Sequence, residues 1–325
     1  MRGVRSSGHT ATVTSLDASP TTGAATADDA APDLATAIAA ASADAGADVF
    51  AHAIDIDSGA GVGVRADDPV VTASVFKVPV LTEYVRQVSA GDLDPASRVL
   101  IRSGSATMGP TGLSVFSDDA DWSLRDVATS MITVSDNAAT DIVTGMVGVD
   151  RVNATMAELG LPGTVLIGDC RVLFDSMADD YGVTDPDLVD ELMSADPARI
   201  ASLSVCTPTL TNRSTPRECA RLLQLLWTDR AADPAGCAEA RRILGLQVWP
   251  HRLSSGFPTD DVRISGKTGT IGIVRNEIGV VEFPDGHRYA VAVFTRSHRF
   301  GYRQPKVDAL IGTVAAALVG RLARS

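Results

Sequence analysis

Ser74-Val75-Phe76-Lys77-Val78-Pro79 is the stretch on which the reading of this chain turns. It reads as a helix start that sets a hydroxyl and an amine side by side, because residues i and i+3 share a helix face. Pro79 fits near a helix N-terminus, where a missing N–H leaves no intrahelical bond unmade. The periodic apolar residues Val80, Leu81, Tyr84 and Val85 then carry the helix to a stop at Gly91. A serine hydroxyl becomes a nucleophile only when a neighbour takes its proton. Lys77 can do so only as a neutral amine, so burial or a second cation must lower its pKa. Alone, the pair also reads as an N-cap serine and a solvated lysine. Composition favours the chemical reading: of 28 lysines and arginines only Lys77, Lys267 and Lys306 are lysines, and lysine, unlike arginine, can give up its proton.

On the N-terminal side, 33–45 reads as an alanine-rich helix with Leu34 and Ile38 as its stripe. Residues 49–56 and 61–65 read as a hairpin turning at Asp57-Ser58-Gly59. The Gly59 to Gly63 run lacks the following helix and final glycine of a dinucleotide loop, so it reads as a turn. On the C-terminal side the texture is helical, with apolar periodicity at 78–89, 123–132, 138–146, 150–159, 187–193 and 216–227. A glycine-rich loop, Gly109-Pro110-Thr111-Gly112, sits within 98–117. From 262 the strand texture returns: 262–270, 277–283 and 289–295 are three strands, with a turn at Pro284-Asp285-Gly286-His287, and 306–322 is an amphipathic helix.

Strands plus a helix at both ends and helices between them predict an α+β fold of three-layer α/β/α sandwich type. One antiparallel sheet is built from both chain ends, helices cover it, and a helical lobe borders a cleft that holds the active site. The expected organisation is a disordered tail over 1–32, a sheet lobe from 33–73 with 258–325, and a helical lobe over 74–257.

The chain has 325 residues, 45% of them hydrophobic, enough for a sizeable core. A net charge of −12 argues against nucleic acid or anionic lipid as partners. No apolar run reaches the roughly 18 residues of a membrane span. No apolar segment follows Arg2 and Arg5, so the sequence as written shows no secretory leader and reads as cytoplasmic. The cysteines, Cys170, Cys206, Cys219 and Cys237, and the histidines, His9, His52, His251, His287 and His298, have no metal spacing. No metal or cofactor is expected, and the thiols are read as buried and free, with a Cys170–Cys206 bridge as the alternative in an exported protein.

Two further segments matter. Ser135-Asp136-Asn137 follows an apolar stretch and precedes another helix, where all three could serve as caps. Lys267-Thr268-Gly269-Thr270 lies on the first C-terminal strand. Taken in order, S-x-x-K, S-D-N and K-T-G on a helix start, an interhelical loop and a strand resemble the class A β-lactamase and penicillin-binding protein families. The flanks agree: Ser74-Val75-Phe76-Lys77-Val78-Pro79-Val80-Leu81, Met131-Ile132-Thr133-Val134 before Ser135, and Arg275-Asn276-Glu277-Ile278 after the K-T-G strand. The resemblance spans about 33–323 and is weakest between 162 and 212.

That resemblance implies roles. Ser74 would be the acylated nucleophile, and Lys77 its general base or that base's helper. Ser135 would pass a proton to the leaving nitrogen, and Asn137 would bind the substrate amide. Lys267 and Thr268 would hold the substrate carboxylate, with Lys267 also lowering the pKa of Lys77, so the implied partner is a small anionic molecule bound to a monomer. The backbone N–H groups of Ser74 and Thr270 would form the oxyanion hole, where charge develops on the attacked carbonyl. The family also carries a glutamate, in Glu-x-x-Leu-Asn ahead of a Thr-Thr-Pro landmark, that activates the deacylating water. Here Ser214-Thr215-Pro216 resembles the landmark, but Glu158 and Glu191, the only glutamates of the preceding segment, lie in no such motif. Each reads instead as an exposed helical residue. Asp169 and Asp175, flanking Arg171, remain weak candidates for the base, with a loop salt bridge as their plainer reading. The leading expectation is therefore a serine hydrolase of β-lactam amides. The alternatives are a D,D-peptidase or acyltransferase on another peptide or ester, slow to release penicillins, and a non-catalytic penicillin-binding module.

Overall fold

The computed structural model describes residues 33–104, 106–184 and 196–324. Asp33 caps α1 (Leu34–Ala45) by accepting from Thr36 N at 3.0 Å, and Gly46, at φ 68°, ends it. There follow β1 (Ala47–Asp55), β2 (Gly61–Val64), β3 (Val70–Val71), a 3₁₀ turn (Ala73–Phe76) and α2 (Lys77–Ala90). Next come β4 (Arg98–Ile101), β5 (Ala120–Ser123), α3 (Leu124–Thr133), α4 (Asn137–Val147), α5 (Val149–Glu158), α6 (Cys170–Tyr181) and α7 (Pro197–Ala201). The chain continues with β6 (Arg213–Ser214), α8 (Pro216–Trp227), α9 (Pro234–Leu244), β7 (Arg263–Ile271), β8 (Val274–Glu282), β9 (Arg288–Ser297) and α10 (Pro305–Leu322).

The main sheet is antiparallel and runs β2-β1-β9-β8-β7, so strands from the two chain ends join where β1 pairs with β9. Side chains of a strand alternate between faces, and β9 divides accordingly. Tyr289, Val291 and Val293 pack in the layer under α1 and α10, while Ala290, Ala292 and Phe294 pack against the helical side. Both faces are covered, which is why 289–294 reads as an unbroken apolar run. On α10, Leu310, Ile311, Val314 and Leu318 are all but fully buried, each contributing about 1.5–3 kcal/mol relative to exposure. The resulting α+β architecture, a five-stranded sheet between helical layers, is the expected fold class.

On the other face lies α2, with ten of its side chains buried, among them Lys77, Glu83 and Gln87. A helix buried on nearly all sides is the centre of its layer rather than a surface element. Its polar residues are satisfied internally: Glu83 accepts from Gln87 Nε2 at 2.7 Å and Thr155 Oγ1 at 2.6 Å.

The helix at Ser74 begins as a 3₁₀ turn and becomes α-helical at Lys77, three residues later than expected. Residues 98–101 and 120–123 pair as a hairpin around the glycine-rich loop, and β8 begins at Val274 rather than 277. Cys170 and Cys206 are free, as are Cys219 and Cys237, which removes the bridge. Three helices, α6, α7 and α9, stand where no periodic segment was expected. The helix expected over 187–193, with Glu191, and the tail expected over 1–32 lie outside the described residues. Among the described residues no helix is long and apolar enough to cross a membrane.

Candidate active site

The Ser74 turn, the S-D-N turn and the K-T-G strand converge at the N-terminal end of α2. Ala73, immediately before Ser74, has φ 45°, and Ser135 has φ 62°. Non-glycine residues in this left-handed region cost energy and persist only where the surroundings fix them. At Ser135 the fixing partner is buried Asp136. Its Oδ2 accepts from Leu113 N at 2.7 Å and Ser130 Oγ at 2.8 Å, and its Oδ1 accepts from Ala139 N at 3.1 Å. Gly112, at φ 64°, lies so close that a Cβ there would stand 2.2 Å from Asp136 Oδ2. The glycine-rich loop is therefore the clamp that holds the S-D-N turn. Gly269 is required for the same kind of reason, since a Cβ would stand 2.6 Å from Thr72 O, where β7 passes the turn that carries Ser74.

Lys77 is fully buried, and its hydrogen bonds all run to the S-D-N turn: Ser135 O at 2.7 Å, Asn137 Oδ1 at 3.0 Å, Ser135 Oγ at 3.3 Å and Asp136 O at 3.5 Å. None reaches Ser74 Oγ. Catalytic hydrogen bonds are often long in unliganded sites and tighten on binding. Burial lowers the pKa of Lys77, against the opposing pull of Cys170, Asp136 and Asp141. Two acceptors, Ser135 O and Asn137 Oδ1, suffice for the two hydrogens of a neutral amine. An amine in that state would keep its lone pair for a hydroxyl proton.

Lys267, also fully buried, donates to Thr268 O at 2.8 Å. Burial, and then Lys77, hold its pKa well below the ordinary lysine value. Edge strand β7 is braced from behind. Arg252 donates through Nη1 to Gly269 O at 2.9 Å and Asn276 O at 2.8 Å, and through Nη2 to Thr270 Oγ1 at 2.7 Å, while its Nε pairs with Asp308 at 2.8 Å. Gln247 Oε1 accepts from Thr268 N at 2.6 Å, and its Nε2 donates to Glu277 Oε1 at 2.7 Å.

Burial pushes the Glu277 carboxyl up to about 7. Because the folded value lies above the unfolded one of about 4.5, the protein binds the extra proton when folded. Stability is unaffected below pH 4.5 and falls as pH rises through 7. Urea unfolding of wild type and Glu277→Gln at pH 5 and pH 8 should show the wild type losing about 3 kcal/mol more than the variant over that interval. Parallel losses in the two proteins would show that Glu277 does not titrate there.

Ser74, Asn137 and Thr270 line one cavity of about 210 Å³, together with Cys170, Leu173, Phe174, Met177, Ile200 and Leu203. Lys77, Lys267 and Thr268 stand buried outside that lining. Neither weak candidate for the deacylation base joins it. Asp169 caps α6 by accepting from Val172 N at 3.1 Å, and Asp175 is on the exposed side of that helix. Glu158 is exposed and pairs with Arg86 at 2.9 Å.

The residue that does stand in the cavity is Cys170. Its N donates to Asp141 Oδ1 at 2.7 Å, and its Sγ donates to Asn137 Oδ1 at 3.4 Å. Burial pushes its thiol up to about 12, so it is uncharged at neutral pH. The nearby carboxyl of Asp141, raised to about 6 by burial, is occupied by Cys170 N, Arg171 N and Thr107 Oγ1. It anchors the start of α6. Sequence reasoning read Cys170 as a buried free thiol, with a bridge to Cys206 as the alternative, and did not place it in the site. The signal that could have found it is the apolar spacing 170, 173, 174, 177 between a capping Asp169 and a terminal Gly182.

Comparison with known proteins gives a consistent result. The family described as Beta-lactamase enzyme family matches residues 33–322. The beta-lactamase regulatory protein BlaB of Streptomyces cacaoi is 31% identical over 285 residues, which cover 82% of this chain and 90% of that protein. A solved beta-lactamase of Sphaerobacter thermophilus is similar at a TM-score of 0.71 and 26% identity, over 90% of this chain and 97% of that one. The structure of PBP-A is similar in fold at a TM-score of 0.71 and 22% identity, over 90% of this chain and 96% of that one.

Proposed function

The chain belongs to the beta-lactamase enzyme family, and on that basis we propose that it opens β-lactam amides by forming an acyl-enzyme on Ser74 that it releases slowly. Ser74 Oγ attacks the ring carbonyl while its proton passes to the neutral Lys77 amine. The tetrahedral oxyanion is held by the backbone N–H groups of Ser74 and Thr270. The ring C–N bond then breaks, and the nitrogen takes a proton through Ser135 Oγ, which lies 3.3 Å from Lys77 Nζ. Asn137 holds the side-chain amide of the substrate. The carboxylate of the substrate approaches Lys267 and Thr268, where a desolvated amine gains a counter-charge.

One observation carries the slow release: the cavity beside Ser74 holds the neutral thiol of Cys170, and among the described residues none that lines it is a carboxylate. Hydrolysis of an acyl-enzyme needs a positioned base for water, and a thiol with a pKa of about 12 cannot serve. The relative from Streptomyces cacaoi, described as a beta-lactamase regulatory protein, supports a second reading on the same chemistry. In it the persistent adduct is the output, and the protein reports β-lactam rather than clearing it. A D,D-peptidase or acyltransferase would use the same residues on a different acyl donor. A purely non-catalytic binder has less support, because burying Lys77 without a carboxylate partner costs free energy that a binder need not bear.

A fluorescent penicillin should label the wild type covalently with one equivalent and leave Ser74→Ala unlabelled. Equal labelling of both proteins would remove Ser74 from the reaction.

A further inference from the structure

A second cavity, of about 480 Å³, lies on the helical face of the main sheet, and no described residue lines both it and the cavity beside Ser74. Its floor follows from strand register. Phe50 of β1 stands opposite Phe294 of β9, which stands opposite Asn276 of β8. Along the same face, Asp48 stands opposite Arg296, and Arg296 opposite Val274. Val70 and Val71 of β3 close one side, and Cys206 and Pro208 another. Phe294, Val70, Val71, Cys206 and Val274 are each no more than 5% exposed, so the packing behind them fixes the wall. Asn276 has nothing left to offer a ligand: its Nδ2 donates to Val71 O at 2.8 Å and Thr72 O at 3.3 Å, and its Oδ1 accepts from Thr295 N at 3.2 Å.

The charges around this cavity are unevenly matched. Arg65 pairs with Asp68 at 2.8 Å and lies over the Phe50 ring, 3.8 Å from its centroid. Asp48 is opposite Arg296 in register, yet its Oδ1 lies 3.3 Å from His298 Nε2. Arg296 is left without a carboxylate among the described residues. Its Nη1 and Nη2 reach only the carbonyls of Cys206 and Ala201, each at 3.4 Å, long for a hydrogen bond. A guanidinium has five N–H donors in a planar fork that matches a carboxylate. Half-buried Arg296 thus brings an unmatched cation to a space floored by two aromatic rings.

We propose that this cavity is a binding site for a small aromatic carboxylate, separate from the Ser74 site. The carboxylate pairs with the Arg296 fork, a charge-assisted contact stronger than the two long carbonyl bonds the guanidinium now makes. The ring of the ligand packs against Phe294, Val71 and Val274, where aromatic contacts add to the burial of apolar surface. The bound acid touches none of the groups assigned to the acylation chemistry, so the proposal stands or falls apart from it.

Isothermal titration of the full chain with 2-naphthoate, 2-naphthamide, 2-naphthylmethylamine and benzoate tests it. One equivalent of 2-naphthoate should bind, about ten- to a hundredfold tighter than the amide, which has the same shape without the charge. It should bind about tenfold tighter than benzoate, which buries one ring fewer, and the amine should bind no better than the amide. Arg296→Gln should erase the preference for acid over amide. Asp48→Asn, at the rim where the side chain is 48% exposed, should tighten the acid roughly threefold by removing a like charge and leave the amide unchanged. Equal binding of acid and amide in the wild type, or an amine that matches the acid, would overturn the proposal whether or not the variants fold. So would failure of 2-naphthoate to bind. Acid binding that a folded Arg296→Gln protein retains in full would place the acid elsewhere, as beside Lys267, and would overturn it too. Each of these outcomes leaves acylation of Ser74 untouched.

Discussion

Replacing Lys77 with methionine is expected to slow acylation of Ser74 between about a hundred- and ten-thousand-fold, the range that a positioned general base supplies. Methionine keeps much of the side-chain volume and removes the amine that contacts Ser135 O and Asn137 Oδ1. Those two acceptors lose their donor, which costs about 1–3 kcal/mol each, so thermal unfolding must first show that the variant is folded. Lys77→Arg should lose the reaction as well, although it restores a donor, because a guanidinium does not give up its proton. Stopped-flow acylation by a chromogenic cephalosporin reads both variants. A folded Lys77→Met protein that acylates within about tenfold of wild type would show that another group takes the Ser74 proton.

Replacing Cys170 with glutamate has the opposite expected effect, on the second half of the reaction. A carboxylate introduced there meets the Lys77 amine, the amide of Asn137 and a cavity that already holds Ser74. Burial and the neighbouring Asp141 carboxyl would raise its pKa toward the range in which a carboxylate is an effective base near neutrality. Release of the acyl group should accelerate by roughly a hundred- to ten-thousand-fold, with acylation little altered. Cys170→Ala supplies the control: it removes the thiol without adding a base and should leave the adduct as long-lived as in wild type. If Cys170→Glu acylates, folds and still holds its adduct unchanged, the slow step has a cause other than the missing carboxylate.

The fold and the candidate site were legible for different reasons. The sheet could be read because β7, β8 and β9 are dense in β-branched and apolar residues and bounded by turns such as Pro284–His287. Ser74, Lys77, Ser135 and Lys267 stood out as candidates because their motifs fall on a helix start, an interhelical turn and a strand, where the structure also has them. What α2 does for the fold was hidden. Lys77, Glu83 and Gln87 look like a solvated face, and only contacts from Ser135, Asn137 and Thr155 make them a buried one. The helix 170–181 was hidden by its own acids, since Asp169, Asp175, Asp179 and Asp180 with Arg171 give the texture of a loop. Its apolar face is defined by what it packs on, not by local pattern. Arg252 carries no periodicity or motif at all, yet it holds Gly269, Thr270 and Asn276 together across some twenty residues of sequence. The raised pKa of Glu277 likewise follows from its burial beside Gln247 and Leu253 N, which no spacing encodes.

The central claim is that Ser74 takes the acyl group quickly and gives it up slowly. Intact-mass spectrometry of the wild-type protein after mixing with phenylacetyl penicillin, sampled from seconds to hours and followed by peptide mapping, tests it most directly. The account predicts a gain of one penicillin mass within the first samples, mapped to the peptide holding Ser74 and retained for hours. No gain in mass, an adduct on Cys170 instead, or a Ser74 adduct that clears within seconds while free penicillin is consumed would contradict it.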